Sequence, residues 1–139
     1  MKLENKSIKQ LRDTADKIFN KYIVLRDGQC MYGKIYGGCS GVLQCSHVVA
    51  KGTCSSLRYD EKNAKCLCLK HHIWGWHLRD VEQAKKYVDW FVEYYPERWE
   101  YVQEKKAEYK RDRTFRITKD YYIDIIKKYK AKIKELDVK

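Results

Sequence analysis

The chain has 139 residues, of which 44% are hydrophobic and 35% are charged. This length fits one domain and leaves no room for two independent hydrophobic cores. The formal net charge of +11 favours a polyanionic partner such as nucleic acid, against the plainer interpretation of a basic soluble protein. We find no membrane-spanning run and no secretory signal, so we expect no membrane partner and a reducing, cytoplasmic compartment.

The first predicted element is an amphipathic helix over residues 7–26. Ser7 is a candidate N-cap, and the polar face carries basic residues for which a solvated surface is the commoner explanation. The apolar positions recur at close to helical spacing and are Ile8, Leu11, Ala15, Ile18, Phe19, Tyr22, Ile23 and Leu25. We expect this helix to be scaffold rather than site.

A glycine-rich stretch over residues 27–41 follows and carries Cys30 and Cys39. Such a stretch predicts knuckle and hairpin turns whose backbone N–H groups point at thiolate sulfurs. In a reducing compartment, short-spaced cysteine and histidine clusters indicate zinc sites rather than disulfides.

Residues 42–49 are the best strand candidate because they are rich in β-branched and aliphatic side chains, and they deliver His47. A loop and a short irregular segment lead to Asn63, which opens a segment running to Cys68. The order is therefore strand, long loop, strand and helix.

Zinc prefers four thiolate or imidazole ligands arranged in a tetrahedron. Cys68-x-x-His71 is one convincing pair, and Cys30 and Cys39 are the predicted second pair. The alternates for the second pair are Cys45, Cys54 and Cys66. Buried free thiols are the plainer alternative.

The last third of the sequence predicts three helices, one from Asp80 to Tyr94, one with Pro96 in its first turn and one capped by Thr118. The third helix carries a broad apolar face, which we expect to pack on the domain itself, with a homodimer contact as the alternative. A basic stretch with interleaved aromatics precedes it and suits a DNA backbone. Its basic residues are Lys105, Lys106, Lys110, Arg111, Arg113 and Arg116.

All four histidines and four of the six cysteines lie within residues 45–77. His47, Asn63 and His72 follow one another in the order His, Asn, His, which resembles an HNH nuclease. The flanking motifs resemble the phage lambda NinG-type recombination nucleases over roughly residues 15–95. These motifs are Phe19-x-x-Tyr22-Ile-x-Leu25-Arg26-Asp27-x-x-Cys30, Leu43-Gln-Cys-Ser-His47, Leu57-Arg-Tyr-Asp60 and Cys68-x-x-His71-His72.

We expect an α+β fold in a single domain spanning residues 1–139. The resemblance implies that its centre is a small zinc-stapled ββα-metal core of the treble-clef, HNH type over residues 28–95. An N-terminal helix over residues 1–27 and a basic helical extension over residues 96–139 flank that core.

The resemblance also implies roles for the candidate site residues. His47 is the general base, and Asn63 holds its loop or its imidazole. His72 binds a catalytic Mg²⁺ or Mn²⁺, and His77 either adds a ligand to that metal or contacts the scissile phosphate. Cys30, Cys39, Cys68 and His71 bind the structural zinc. The family usually has Cys-x-x-Cys where this chain reads Cys30-Met-Tyr-Gly33, and many HNH nucleases have a metal ligand where this chain has Ser46. Arg58 is expected to contact phosphate, with Asp60 as its partner or as support for a metal ligand, and an ordinary surface salt bridge is the equal alternative.

The function implied is a metal-dependent HNH endonuclease that hydrolyses DNA, with branched or recombination-intermediate DNA as substrate and the host cytoplasm as location if the chain is phage-encoded. The alternative is a zinc-stabilised DNA-binding module with the same fold and little or no cleavage. A purely structural protein-interaction domain is disfavoured because it gives no reason for His47, Asn63 and His72 to coexist.

Overall fold

The computed structural model describes residues 1–76 and 81–138. Helix α1 spans Ile8–Asp27, which confirms the first predicted helix. Ser7 caps it in a reciprocal capping box, because Ser7 Oγ accepts from Gln10 N at 3.2 Å and Gln10 Oε1 accepts from Ser7 N at 2.8 Å. The helix ends at Gly28 in the left-handed conformation, with φ of 71°.

Two short antiparallel strands form the only sheet among the described residues. Strand β1 is Leu43–His47 and strand β2 is Ala64–Cys68, with Cys45 opposite Cys66 and His47 opposite Ala64. The predicted order of two strands separated by a long loop is confirmed. Within that loop lie two 3-10 turns, at Ser55–Leu57 and Glu61–Asn63.

The remaining helices are α2, Gly33–Tyr36; α3, Val81–Tyr94; α4, Pro96–Arg111; and α5, Lys119–Val138. Helix α2 and a π-helical turn at Lys70–Trp76 were not predicted. Most of the basic stretch expected between two helices lies within α4 itself. Thr118 Oγ1 accepts from the backbone N of Tyr121 at 3.1 Å, which confirms it as the cap of α5.

Helix α5 packs along α1, and α1 packs against both strands, so the apolar face of α5 is covered within the chain, as expected. This arrangement occupies the face considered for a homodimer contact. The core between these elements is rich in aromatic residues and consists of Leu11, Ala15, Phe19, Tyr22, Ile23, Cys45, Tyr59, Ala64, Cys66, Tyr122, Ile125, Ile126 and Tyr129.

The opposite face of the sheet packs against α3, where Leu67 contacts a core containing Trp90 and Phe91. Ser46 and Lys65 lie opposite each other on the same face of the sheet. The Lys65 ammonium lies 3.6 Å from the centre of the Tyr95 ring. The sheet therefore lies between a helix pair on one side and α3 on the other. No helix in the described parts of the chain has the length and apolarity needed to cross a membrane.

Candidate metal centre and active-site cleft

Four potential metal ligands converge where α2, the end of β2 and the π-helical turn meet. The ligand atoms of Cys30, Cys39, Cys68 and His71 all lie within 4.8 Å of one another. His71 Nδ1 is 3.3 Å from Cys30 Sγ, 3.2 Å from Cys68 Sγ and 3.9 Å from Cys39 Sγ. Zinc bonds of about 2.0 to 2.3 Å in a tetrahedron place their ligand atoms about 3.5 to 3.8 Å apart. The cluster can therefore hold a metal such as zinc.

Two of the sulfurs accept backbone N–H groups from the residue three positions later. Gly33 N donates to Cys30 Sγ at 3.3 Å, and His71 N donates to Cys68 Sγ at 3.5 Å. Such bonds stabilise thiolate charge and orient the sulfur. The predicted knuckle turn around Cys30 is thus present, although α2 continues it as a short helix.

Cys39 takes the place that the second cysteine of a Cys-x-x-Cys pair would occupy. A Cβ atom built on Gly33 would lie 2.0 Å from Cys39 Sγ, which is close to one carbon–sulfur bond length. Two successive glycines with positive φ, Gly37 and Gly38, follow α2 and turn the chain back towards Cys39. This geometry accounts for the departure from the usual spacing at residue 33.

The acid–base properties of the cluster suit a cation. Burial acts to raise the pKa of the Cys68 thiol, but hydrogen bonds from the His71 and Ser40 backbone and from the Cys30 and Cys39 side chains together leave that pKa lowered. Burial lowers the pKa of His71, so its imidazole stays neutral as a ligand must. Cys39 is exposed as a residue, but partial desolvation of its sulfur and the adjacent thiols of Cys30 and Cys68 raise its pKa to about 11, an effect that a bound divalent cation would reverse.

The three alternate cysteines lie outside this cluster. Cys45 and Cys66 face each other across the strand pair and belong to the core under α1, whereas Cys54 packs with Leu57 and Val102. All six cysteines are free thiols. Cys30 and Cys39 are therefore the pair that joins Cys68 and His71.

A second site surrounds His47 at the end of β1. His47 Nε2 lies 2.9 Å from the backbone carbonyl oxygen of Arg58. A carbonyl oxygen can only accept, so Nε2 carries the proton and Nδ1 is the acceptor nitrogen of the neutral ring. Burial lowers the pKa of His47 to about 4, with the nearby charges of Lys51 and Arg58 acting in the same direction. The imidazole is therefore neutral at physiological pH.

Asn63 is fully buried and holds the loop after β1 rather than the imidazole. Its Oδ1 accepts from Val49 N at 2.8 Å, and its Nδ2 donates to Val49 O at 3.0 Å and to Leu57 O at 3.1 Å. One side chain thus ties both ends of residues 49–57 together. Of the two roles considered for Asn63, its contacts favour holding the loop.

His72 and His47 line the same cleft, which has a volume of about 1040 Å³. His72 Nδ1 lies 2.7 Å from Gln44 Oε1, which can only accept, so Nε2 is the acceptor nitrogen in this tautomer. Such an arrangement, in which a polar side chain fixes the ring of a histidine, is typical of metal ligands. His77, the other expected ligand, lies outside the described residues.

The cleft also contains cationic residues that were not singled out as site residues from the sequence. Lys21 of α1 and Lys51 of the loop line it together with His47, and both lysines are exposed. Lys51 follows the strand by four residues, and nothing in its sequence context distinguishes it from a surface lysine. The cleft therefore combines a neutral histidine with positive charge.

One of the contacts considered for Arg58, an ion pair with Asp60, is not the one observed. Arg58 makes a bidentate ion pair with Asp16 of α1, at 2.9 Å for Nε and 2.5 Å for Nη2, and not with Asp60. Asp60 instead accepts from Tyr101 OH at 2.5 Å. Ser46 is buried on the opposite face of the strand from His47 because side chains alternate along β1.

The basic stretch lies along the end of α4 and the segment after it. Lys110, Arg111, Arg113 and Arg116 are exposed, whereas Lys106 is half-buried. Lys105 is also half-buried and pairs with Glu108 at 3.3 Å. Arg113 lies 5.4 Å from the centre of the Tyr109 ring, and Arg116 Nη1 donates to backbone carbonyls nearby. Four of the six predicted residues are thus available to a polyanion.

The described residues contain two distinct chemical arrangements. The first is a Cys3His cluster with the donor set of a structural zinc site. The second is a cleft with two histidines whose tautomers are set by oxygen acceptors. No protein-family model, curated protein or solved structure matches this chain.

Proposed function

We propose that this chain is a zinc-stabilised, metal-dependent DNA endonuclease of the HNH type, with His47 as its general base. The observation that carries the proposal is the 2.9 Å contact between His47 Nε2 and the Arg58 carbonyl oxygen. It assigns the proton to Nε2 and the lone pair to Nδ1 on a residue that lines the cleft shared with His72. General-base catalysis needs an unprotonated acceptor nitrogen, and the neutral imidazole of His47 supplies one at neutral pH.

In this mechanism His47 Nδ1 removes a proton from a water molecule as the water oxygen bonds to phosphorus. The bond from phosphorus to the departing deoxyribose oxygen breaks, and a proton from solvent neutralises that oxygen. The hydrogen bond to Arg58 stabilises the imidazolium formed during the step. Burial of His47 favours return of its proton to solvent, because the neutral ring is the stable form.

His72 is the described residue that would hold the catalytic cation, and Gln44 fixes its ring. Mg²⁺ or Mn²⁺ bound there would neutralise charge on the scissile phosphate and on the departing oxygen. Lys21 and Lys51 line the cleft beside His47 and would attract the same phosphate. The net charge of +11 supports a nucleic-acid substrate.

The Cys3His cluster has a structural role in this proposal. It joins the turn after α1 to the end of β2 and to the turn that carries His72, which follows His71 directly. Zinc there would fix the orientation of the turn after β2, which carries His72. The four ligands of the cluster take no part in the proton transfer.

A second candidate is a zinc-stabilised DNA-binding module without cleavage. Ser46 favours it, because its side chain is buried on the face of β1 away from His47 and supplies no ligand to the cleft. Among residues 1–76 and 81–138, three or more metal-ligating groups converge at the Cys3His cluster and not at His72. The two candidates differ in whether DNA is cut.

The deciding experiment incubates the purified chain with supercoiled plasmid in Mg²⁺, in Mn²⁺ or without added divalent cation, while protein-bound zinc is measured in each sample. The endonuclease proposal expects nicked or linear products only with added cation. His72→Ala should keep its zinc and its fold but lose the response to Mg²⁺ or Mn²⁺. Binding without any cleavage in either cation would establish the second candidate.

A further inference from the structure

Three successive backbone carbonyls, at residues 57–59, each accept a hydrogen bond from the side chain of a different part of the fold. The three bonds are Asn63 Nδ2 to Leu57 O at 3.1 Å, His47 Nε2 to Arg58 O at 2.9 Å and Tyr129 OH to Tyr59 O at 2.5 Å. The segment contains only part of a 3-10 turn. These tertiary bonds therefore define the direction of the carbonyl that His47 contacts.

The side chains of the same segment are held by one carboxylate on α1. Asp16 accepts from Arg58 Nε at 2.9 Å and from Nη2 at 2.5 Å, and Tyr59 OH donates to Asp16 Oδ1 at 2.8 Å. The charged groups of Asp16 and Arg58 are mostly shielded from solvent, with 24% and 20% of their side chains exposed. A bidentate pair between a guanidinium and a carboxylate restricts both position and orientation.

We propose that Asp16 is a positioning residue for the cleft, which orients the His47 imidazole through Arg58. The chain of contacts runs from Asp16 to the Arg58 guanidinium, and from the Arg58 carbonyl to His47 Nε2. Helix α1 lines the cleft and carries Asp16 within its hydrogen-bonded interior. The catalytic consequence rests on the proposed role of His47, whereas the orientation of the ring does not.

Arg58 has a different role in this inference from the one expected from the sequence. Two of its three guanidinium nitrogens, Nε and Nη2, are engaged by Asp16. The hydrogen bonds and charge of Asp16 raise the pKa of the Arg58 guanidinium and outweigh burial, which acts in the opposite direction. Arg58 therefore serves first to connect α1 with the loop that contacts His47.

The test replaces Asp16 with asparagine, which keeps the shape of the side chain and removes its charge. The matched control is Glu61→Gln, which breaks the ion pair of Glu61 with Lys132, at 3.1 Å, by the same chemical change on a similarly exposed pair. Nitrogen-15 NMR of the imidazole reports the tautomer of His47 and the exchange rate of its Nε2 proton. Single-turnover cleavage reports the rate of the chemical step separately from DNA affinity.

Asp16→Asn should keep its zinc and its DNA affinity, mix the two neutral tautomers of His47, and speed exchange of the Nε2 proton. Its cleavage rate should fall about 10- to 100-fold, the cost of a misaligned catalytic group. Glu61→Gln should match the wild type in both readouts. Arg58→Lys, which retains the charge and loses the bidentate geometry, should lie between the two and serves if Asp16→Asn does not fold.

An unchanged His47 spectrum in Asp16→Asn, or in Arg58→Lys if that variant has to be used, would overturn the inference whether or not the chain cuts DNA. A shifted spectrum together with no cleavage by the wild type would support the positioning role of Asp16 and refute the proposed endonuclease. A shifted spectrum with an unchanged cleavage rate would overturn the catalytic part of the inference. The spectroscopic measurement thus tests the positioning role of Asp16, and the kinetic measurement separately tests the proposed endonuclease function.

Discussion

Cys39 Sγ lies 2.0 Å from the position that a Cβ atom would take on Gly33. Real Cβ atoms do not approach a sulfur this closely, so residue 33 has to be glycine if Cys39 is to join the cluster. The glycine also brings its backbone N within 3.3 Å of Cys30 Sγ. Gly33 therefore allows two of the four ligands to take their positions.

Gly33→Ala should expel Cys39 from the cluster and weaken zinc binding by at least about tenfold, with a loss of stability of a few kcal/mol, because zinc binding and folding are coupled in such sites. Competition with a chromogenic zinc chelator measures the affinity, and Cys68→Ala provides the positive control. Gly52→Ala is the matched control, because a Cβ at Gly52 would meet no atom within 4 Å. Equal zinc affinity in Gly33→Ala and Gly52→Ala would exclude Cys39 as a ligand.

The sequence allowed the ligand set to be predicted, but the path of the chain to it could not be read from spacing. Cys68-x-x-His71 is a local pair whose separation predicts a shared site. Cys39 reaches the same site from nine residues beyond Cys30, through a short helix and two glycines with positive φ, Gly37 and Gly38. Such a path depends on tertiary contacts, which the spacing of residues in the sequence does not predict.

The helices were largely predictable because their apolar spacing and their capping residues agree. Ser7 and Thr118 both accept the capping hydrogen bonds expected of them. The partner of Arg58 was not predictable, because Asp16 lies 42 residues away on a helix face with several other charged residues. Long-range ion pairs of this kind leave no local signal in a single sequence.

Asn63→Ala should destabilise the fold by about 3 kcal/mol, because three hydrogen bonds to buried backbone groups are lost together. Urea unfolding measures the free energy, and amide hydrogen exchange at Val49 locates the effect, since its N–H donates to Asn63 Oδ1. Asn20→Ala makes the same substitution on α1, at a residue that lines the cleft, and serves as the comparison. A destabilisation of Asn63→Ala no larger than that of Asn20→Ala would contradict the loop-holding role.

The stability of the fold should depend on pH through His47. Burial lowers the pKa of His47 to about 4 in the folded chain, against an ordinary value of 6.5 when unfolded. Because the folded pKa lies below the unfolded one, protonation favours the unfolded chain. The stabilisation is complete above pH 6.5 and is lost as the pH falls from 6.5 towards 4, to a total of about 3 kcal/mol.

Urea unfolding of the wild type and of His47→Gln at several pH values isolates this contribution. The difference between their free energies of unfolding should shrink as the pH falls through that window. Protonation of the zinc ligands occurs in both proteins and cancels in the difference. A difference that stays constant with pH would show that His47 titrates normally in the folded chain.

Affinity for DNA should depend steeply on salt, because lysines and arginines that contact phosphates release condensed counterions. A double variant, Lys110→Ala with Arg111→Ala, should reduce the slope of log affinity against log salt by about 2. Fluorescence anisotropy over a salt series measures the slope. Lys127→Ala with Lys130→Ala removes the same charge from exposed positions on α5. Equal slopes for both double variants would show that the basic stretch of α4 is a solvated surface with no special contact to DNA.

The most direct test of the account is the single-turnover rate of plasmid cleavage by the wild type and by His47→Ala under saturating Mg²⁺ or Mn²⁺. Both proteins should contain equal zinc and bind DNA with equal affinity, because His47 is not part of the Cys3His cluster. We expect the cleavage rate of His47→Ala to be about 10²- to 10⁴-fold lower, the usual contribution of a positioned general base. Cleavage by His47→Ala at the wild-type rate would contradict the assignment of His47 and with it the proposed mechanism.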